Sequence, residues 1–275
     1  MSAHFVGVTG LPRAGSTLLC QILAQHPEID CEGHSSPLCN MLLGIRRMVS
    51  DDQFFLAQLD QHFDQSYANL EGAMRGFLQG WHRDTGKQVV VDKNRAWLHC
   101  IEMLLHIAPE ARLIVCLREL GQIYGSIEAR HQKTILIDFI DHLADYDRFG
   151  RADILFAKDK AIGAPLISIH AVEDLPLHVR ERLYFLRFED LVERPVQCMS
   201  HIFAWLGLSH FEFDPNKLVI GTGESDSHYH MKYLHTQSSR IVKPNRHEIS
   251  PRIQMQIQKS YPWYYQLYYP DLHMG

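Results

Sequence analysis

Short apolar runs alternate with stretches of helical period along most of this chain. His4 to Thr9 reads as a strand that runs into a glycine-rich turn. Ser16 to Gln25 follows with Leu18, Leu19, Ile22 and Leu23 on one face, the pattern of an amphipathic helix, and Pro27 ends it. Asp51 to His82 is a long, mostly helical stretch. Val89-Val90-Val91 is a short, wholly apolar strand, and Ala96 to Ile107 is a helix broken by Pro109. Leu113 to Leu117 is a second buried strand with a helix behind it to about Arg130. Leu183 to Arg187 is a further strand and Val196 to Leu206 a helix. Strands this apolar are covered on both sides, which predicts an α/β fold: a parallel sheet flanked by helices on both faces.

Residues 135–180 and 209–245 are less periodic and more polar, and are expected to be insertions or covering loops that shape specificity. Tyr261-Pro262-Trp263-Tyr264-Tyr265, with Tyr268 and Tyr269, is expected to pack on the body of the protein. No repeat, low-complexity segment or linker divides the chain, so residues 1–275 are read as a single domain.

Composition narrows the function classes. Hydrophobic residues make up 46 % and charged residues 21 %, values of an ordinary globular protein, and disorder, collagen and coiled coil are excluded as the main architecture. The formal charge is −5, with no basic excess of the kind a nucleic-acid binder uses against phosphates. The 18 histidines add charge near pH 6.5. The six cysteines have no CxxC pair and no regular spacing, and Cys20 and Cys116 lie in apolar runs. Free buried thiols in a reducing compartment are expected. The N-terminus has neither a basic nor a long apolar region, and no stretch approaches the length of a spanning helix. A cytoplasmic protein with no membrane and no nucleic-acid partner is expected. The oligomeric state is not legible.

The first chemical signal is Gly10-Leu11-Pro12-Arg13-Ala14-Gly15-Ser16-Thr17, set between a strand and a helix. A phosphate loop reads GxxxxGK[ST]; Gly10, Gly15 and Thr17 hold their places, but Ser16 stands where the lysine belongs. Anion binding survives that change. Backbone N–H groups of residues 13–18 converge at the positive end of the helix, and Arg13 supplies a charged fork. The second signal is Arg118-x7-Ser126-x3-Arg130 after an apolar strand. Ser126 and Arg130 share a helix face, and an arginine at a strand's end meets them at one ligand, as a second phosphate requires.

Pro12-Arg13-Ala14-Gly15-Ser16-Thr17-Leu18-Leu19 resembles the 5′-phosphosulfate loop of sulfotransferases, in the form seen in bacterial and tyrosylprotein members. Leu186-Arg187-Phe188-Glu189-Asp190-Leu191 with Pro195 and the later Leu206-Gly207-Leu208 resembles the family's R[YF]EDL block, read here as structural. Thr236 to Pro244 resembles a late loop over the donor, with Ser238 and Lys243 as its contacts. The blocks fall within residues 5–40, 88–130, 183–208 and 235–245, in family order. The resemblance implies a P-loop-type fold and 3′-phosphoadenosine 5′-phosphosulfate (PAPS) as co-substrate. It assigns Arg13, Ala14, Gly15, Ser16, Thr17 and Leu18 to the 5′ end of the donor. Arg118 and Ser126, with Arg130 assisting, fall to its 3′-phosphate, and Lys93 to the sulfuryl group or bridging oxygen. No metal is expected, and the acceptor is a small molecule, carbohydrate or peptide.

An acceptor proton needs a base, and Cys31-Glu32-Gly33-His34 follows the first helix. Counting from Pro27, His34 matches the position of the catalytic glutamate of tyrosylprotein sulfotransferases, and Glu32 is its competitor or orienter. Arg95 stands where the family places proline. Two other readings stay open. Val89-Val90-Val91-Asp92 resembles the strand and aspartate that hold Mg²⁺ in enzymes acting on Mg-ATP. A non-catalytic nucleotide sensor would keep the Arg118 pocket and need no base. His228 and His230 alone make a weak metal site.

Overall fold

The structure, a computed structural model, describes residues 3–82, 85–138, 142–221 and 237–272, so His228 and His230 lie outside the described residues. The strands are β1 (His4–Gly10), β2 (Ile29–Ser35), β3 (Val89–Lys93), β4 (Arg112–Leu117) and β5 (Leu183–Arg187). They form one sheet in the order β2-β3-β1-β4-β5, and every pairing is parallel. The helices up to β4 are α1 (Ser16–Leu23), α2 (Leu38–Asp51), α3 (Gln53–Trp81) and α4 (Ile101–Ile107). Between β4 and β5 come α5 (Leu120–Lys133), α6 (Arg148–Phe156), α7 (Gly163–His170) and α8 (Leu177–Arg180). The chain continues through α9 (Phe188–Glu193), α10 (Pro195–Leu206), α11 (Pro251–Ser260) and α12 (Pro262–Tyr268).

The predicted α/β class is the observed one. Every residue of β3 is buried, as is every residue of β1 except His4. Parallel strands have this composition because helices cover both faces, and each buried valine or leucine contributes about 1.5–3 kcal/mol. The chain runs from β1 to the β2 edge, returns through β3, and then crosses to β4 on the other side of β1. Such a reversal opens a crevice at the carboxyl ends of the strands, where ligands of open α/β sheets bind.

Several elements differ from expectation. β2 is a strand that the sequence pattern did not indicate: only Ile29 of its seven residues is buried, because an edge strand has a single neighbour. α2 is a second unforeseen element, although Leu38, Met41, Leu42, Ile45, Met48 and Val49 follow helical spacing. The 135–180 stretch carries α6, α7 and α8 rather than loops alone. The aromatic C-terminus packs on the body, with Tyr264 and Tyr265 fully buried. All six cysteines are free, and the Cys39 and Cys100 sulfurs lie 3.3 Å apart in the core. Among the described residues no helix is long and apolar enough to cross a membrane.

The R-F-E-D block fixes the end of β5. Arg187 forks onto Asp190 through Nε at 2.7 Å and Nη2 at 3.0 Å, and Arg194 adds a bond at 2.7 Å. The Arg187 fork, and then Arg194, hold the Asp190 carboxyl below the usual aspartate range. A depressed carboxylate contributes stability above its unfolded pKa and loses it as pH falls through the folded one. Asp190→Asn is therefore expected to cost about 1 kcal/mol after solvent screening, or about 2 °C in melting temperature at pH 7. The cost should shrink as pH falls through the depressed folded pKa; equal losses at neutral and strongly acidic pH would show that the fork contributes no charge-dependent stability.

Candidate active site

The phosphate loop leaves β1 at Gly10 and enters α1 at Ser16. Gly15 caps the helix in the left-handed region at φ 84°, and a Cβ there would lie 2.5 Å from the Phe188 ring. Both conditions require glycine. Arg13 also sits at positive φ, 58°, a conformation costing about 1 kcal/mol that persists only where neighbours hold it. Its carbonyl accepts from Arg118 Nη1 at 2.9 Å, and its own Nε donates to Ser126 Oγ at 3.2 Å. The two sequence signals, more than a hundred residues apart, thus meet through direct bonds.

An ammonium reaches the loop from β3, the neighbour of β1 in the sheet. Lys93 ends β3, is 5 % exposed, and donates from Nζ to Thr17 Oγ1 at 3.2 Å. The turn after it is fixed without the family's proline. Asn94 Oδ1 accepts from Ala96 N at 2.9 Å, and Asn94 Nδ2 donates to the Ser36 carbonyl at 2.7 Å. Asp92 faces the opposite side of β3, as alternate strand residues do. It accepts from the Trp97 indole at 2.7 Å and stands 3.6 Å from His82 Nε2, deep in the protein. It therefore does not reach the phosphate loop, which removes the Mg²⁺ ligand that the competing reading requires.

Arg118 follows β4 and Glu119 caps α5, accepting from Gly121 N at 3.1 Å and Gln122 N at 2.8 Å. The C-terminal tyrosines hold this junction: Tyr264 donates to the Arg118 carbonyl at 2.9 Å and Tyr265 to Glu119 at 2.5 Å. The Arg118 guanidinium stacks 4.6 Å above the Phe188 ring and is 7 % exposed. Burial pulls its pKa below the usual arginine value, although Glu189 opposes this. Its Nε is buried with no hydrogen-bond partner.

Around these groups lies a cavity of about 390 Å³. Arg13, Arg118, Arg130, Lys133 and Arg240 line it together with His247, and among the described residues no Asp or Glu does, in a chain whose net charge is −5. Gly15, Ser16, Thr17, Leu18, Ser126 and Ser238 also line it, while Ala14 is buried. Lys243 lies outside: its ammonium pairs with Glu193. The sequence reasoning missed Lys133, Phe188, Arg240 and His247. Phe188 stands inside a block read as structural, Lys133 continues the Ser126–Arg130 face of α5 by one more step, and Arg240 and His247 carry no spacing signal. Among the described residues, Asp138, His142 and Asp145 are close enough together to share a cation; all are exposed, and none lines this cavity.

Glu32 and His34 lie on β2, beside Lys93 in the sheet but not in the lining of the cavity. Cys31 pairs with Val91 and Ser35 with Lys93, so four steps along β2 face two along β3. The extra residues make a bulge with Gly33 at φ 81°. Bulges re-aim side chains at sheet edges. Here His34 Nε2 lies 3.1 Å from Glu32 Oε2, while Nδ1 is buried and has no hydrogen-bond partner.

The sulfotransferase family matches residues 6–212, and the chain belongs to that family. Nodulation protein NoeE of Sinorhizobium fredii is 24 % identical over 235 residues, covering 77 % of this chain and 50 % of that protein. The chain thus spans half the length of this relative. A solved structure of retinol dehydratase, in complex with androsterone and the inactive cofactor PAP, is similar over 98 % of this chain and 83 % of its own. Its identity is 11 % and its TM-score 0.50, a likeness of fold. A sulfotransferase from Alicyclobacillus acidocaldarius is 15 % identical over 78 % of this chain and 87 % of its own, with a TM-score of 0.49.

Proposed function

We propose that this protein transfers a sulfuryl group from PAPS to a hydroxyl or amine of a small-molecule acceptor. The carrying observation is a cavity at the carboxyl ends of β1 and β4 whose described lining holds cations and no Asp or Glu, with the Arg118 Nε buried and unpartnered at its wall. Such a nitrogen calls for an anionic acceptor, because burying an unsatisfied donor costs about 1–3 kcal/mol. The loop cluster and the Arg118–Ser126–Arg130 cluster line the same cavity, which suits a ligand with two anionic groups, and the PAP held by a protein of like fold supports an adenosine 3′,5′-bisphosphate core.

The donor supplies an activated S–O bond. Arg13, the loop N–H groups and the hydroxyls of Ser16 and Thr17 hold its 5′ end; Arg118, Ser126 and Arg130 hold the 3′-phosphate. The acceptor oxygen or nitrogen attacks sulfur in line, the bond from sulfur to the 5′-phosphate oxygen breaks, and the bisphosphate leaves. Lys93 faces the charge that grows on the leaving oxygen. Glu32 orients the His34 imidazole, which takes the acceptor proton.

Calorimetric titration tests the donor site. Adenosine 3′,5′-bisphosphate is expected to bind tightly, unchanged by a chelator, and Mg-ATP weakly. Arg118→Ala should weaken bisphosphate binding by about 1.5–3 kcal/mol, the range for a charged hydrogen bond, or roughly 10–150-fold. Preference for Mg-ATP, or unchanged affinity in the variant, would overturn the reading.

A further inference from the structure

The cationic cavity contains one group whose charge is not fixed. His247 lines it on a segment that returns to the site after α10, and the imidazole is half-buried. Two backbone bonds fix its place: His247 N donates to Gln122 Oε1 at 2.8 Å, and Gln122 Nε2 donates to the His247 carbonyl at 3.2 Å. The segment comes this close to α5 because the facing residue is glycine. A Cβ at Gly125 would lie 2.5 Å from His247 Cβ, and one at Gly121 would run into Gln254. Gly121 and Gly125, one turn apart, thus form a smooth track that brings His247 beside Arg118 and Ser126.

Among the described residues, the charged groups that line the cavity around His247 are cationic. Arg13 faces the cavity from the phosphate loop, Arg118 from the end of β4, Arg130 and Lys133 from α5, and Arg240 from the late segment. Glu119, the nearest carboxylate of the α5 cap, is turned to Tyr265 and Gln254 of the C-terminal helices. Burial, then Arg118 and Arg13, hold the His247 imidazole below the ordinary histidine range, so it is neutral in the free protein at pH 7. A phosphate dianion entering the cavity reverses the electrostatic part of that balance: it offsets both arginines and offers oxygens to an imidazolium.

We infer that His247 is a further ligand of the donor's 3′-phosphate and that its imidazole takes up a proton as the anion binds, which couples nucleotide affinity to pH. This inference rests on the bisphosphate reading of the cavity. A histidine whose pKa is higher in the complex than in the free protein strengthens binding below its pKa in the complex. That contribution fades as pH rises through the same value, and one proton changes affinity at most about tenfold per pH unit. The phosphate's own second ionisation, near pH 6, acts in the opposite sense and is the same for any variant.

The experiment is calorimetry with adenosine 3′,5′-bisphosphate from pH 6.5 to 8.5, in buffers of different ionisation enthalpy, on the full chain and on His247→Gln. The full chain is expected to take up roughly half to one proton per nucleotide near pH 7 and to lose about five- to tenfold in affinity up to pH 8.5. His247→Gln keeps the backbone bonds to Gln122. It should take up fewer protons, bind more weakly at pH 6.5, and match the full chain at pH 8.5. Adenosine 5′-monophosphate, which lacks the 3′-phosphate, should show little difference between the two proteins. No proton uptake by the full chain, equal uptake by the variant, or the same loss at every pH would overturn the role of His247. Failure of the bisphosphate to bind the full chain at any pH would instead remove the bisphosphate reading itself.

Discussion

Lys93→Met is expected to lower turnover by about 10²–10³-fold while changing bisphosphate affinity only a few-fold, the pattern of a preorganised charge removed from a reacting bond. Methionine keeps most of the unbranched stem, so the end of β3 stays packed and the ammonium at Thr17 is lost. A charge at this buried position acts through little water and is worth more than one at the surface. Its effect belongs to turnover because negative charge on the bridging oxygen is greater when the S–O bond is breaking than when the donor merely sits in the site. The check is single-turnover release of adenosine 3′,5′-bisphosphate from PAPS, with acceptor saturating, beside calorimetric affinity. A variant that turns over normally but binds weakly would reduce Lys93 to a ground-state contact.

The second large effect is expected at His34. His34→Ala should cut turnover by about 10²–10⁴-fold, the usual contribution of general acid–base catalysis, and leave donor binding intact. Glu32→Gln should cost less, since it loses only the 3.1 Å contact that orients Nε2. Full activity in His34→Ala with a severe loss in Glu32→Gln would transfer the base role to Glu32. Full function in both variants and in Lys93→Met would favour a nucleotide sensor that does no chemistry.

Much of this site was legible because its backbone chemistry is local. Gly10, Gly15 and the hydroxyls that follow lie on one short strand–turn–helix unit, and such a turn allows few other residues. Arg118 and Ser126 were legible for a related reason, as a strand's end and the face of the next helix. The edge strand β2 was hidden: a strand with one neighbour needs little apolar sequence, and a bulge erases what alternation remains. Phe188 was hidden inside a block whose Arg187–Asp190 fork is structural, although its ring touches both Gly15 and Arg118. Lys243, a charge in the late segment, pairs with Glu193 in this structure, a partner that no local spacing indicates.

The sequence by itself determined the α/β class, the phosphate loop and the arginine after β4, because each is written in neighbouring residues that obey strand, turn or helix periods. Only the tertiary structure decided which distant groups complete them. Lys93 reaches Thr17 of the loop because parallel pairing sets β3 beside β1, with Val8 opposite Lys93. Arg13 keeps its left-handed backbone because Arg118 and Ser126 hold it. His247 reaches the same cavity because two glycines let its segment lie against α5. The order of strands and the approach of helices are set by packing across the whole chain, and no local window of sequence contains them.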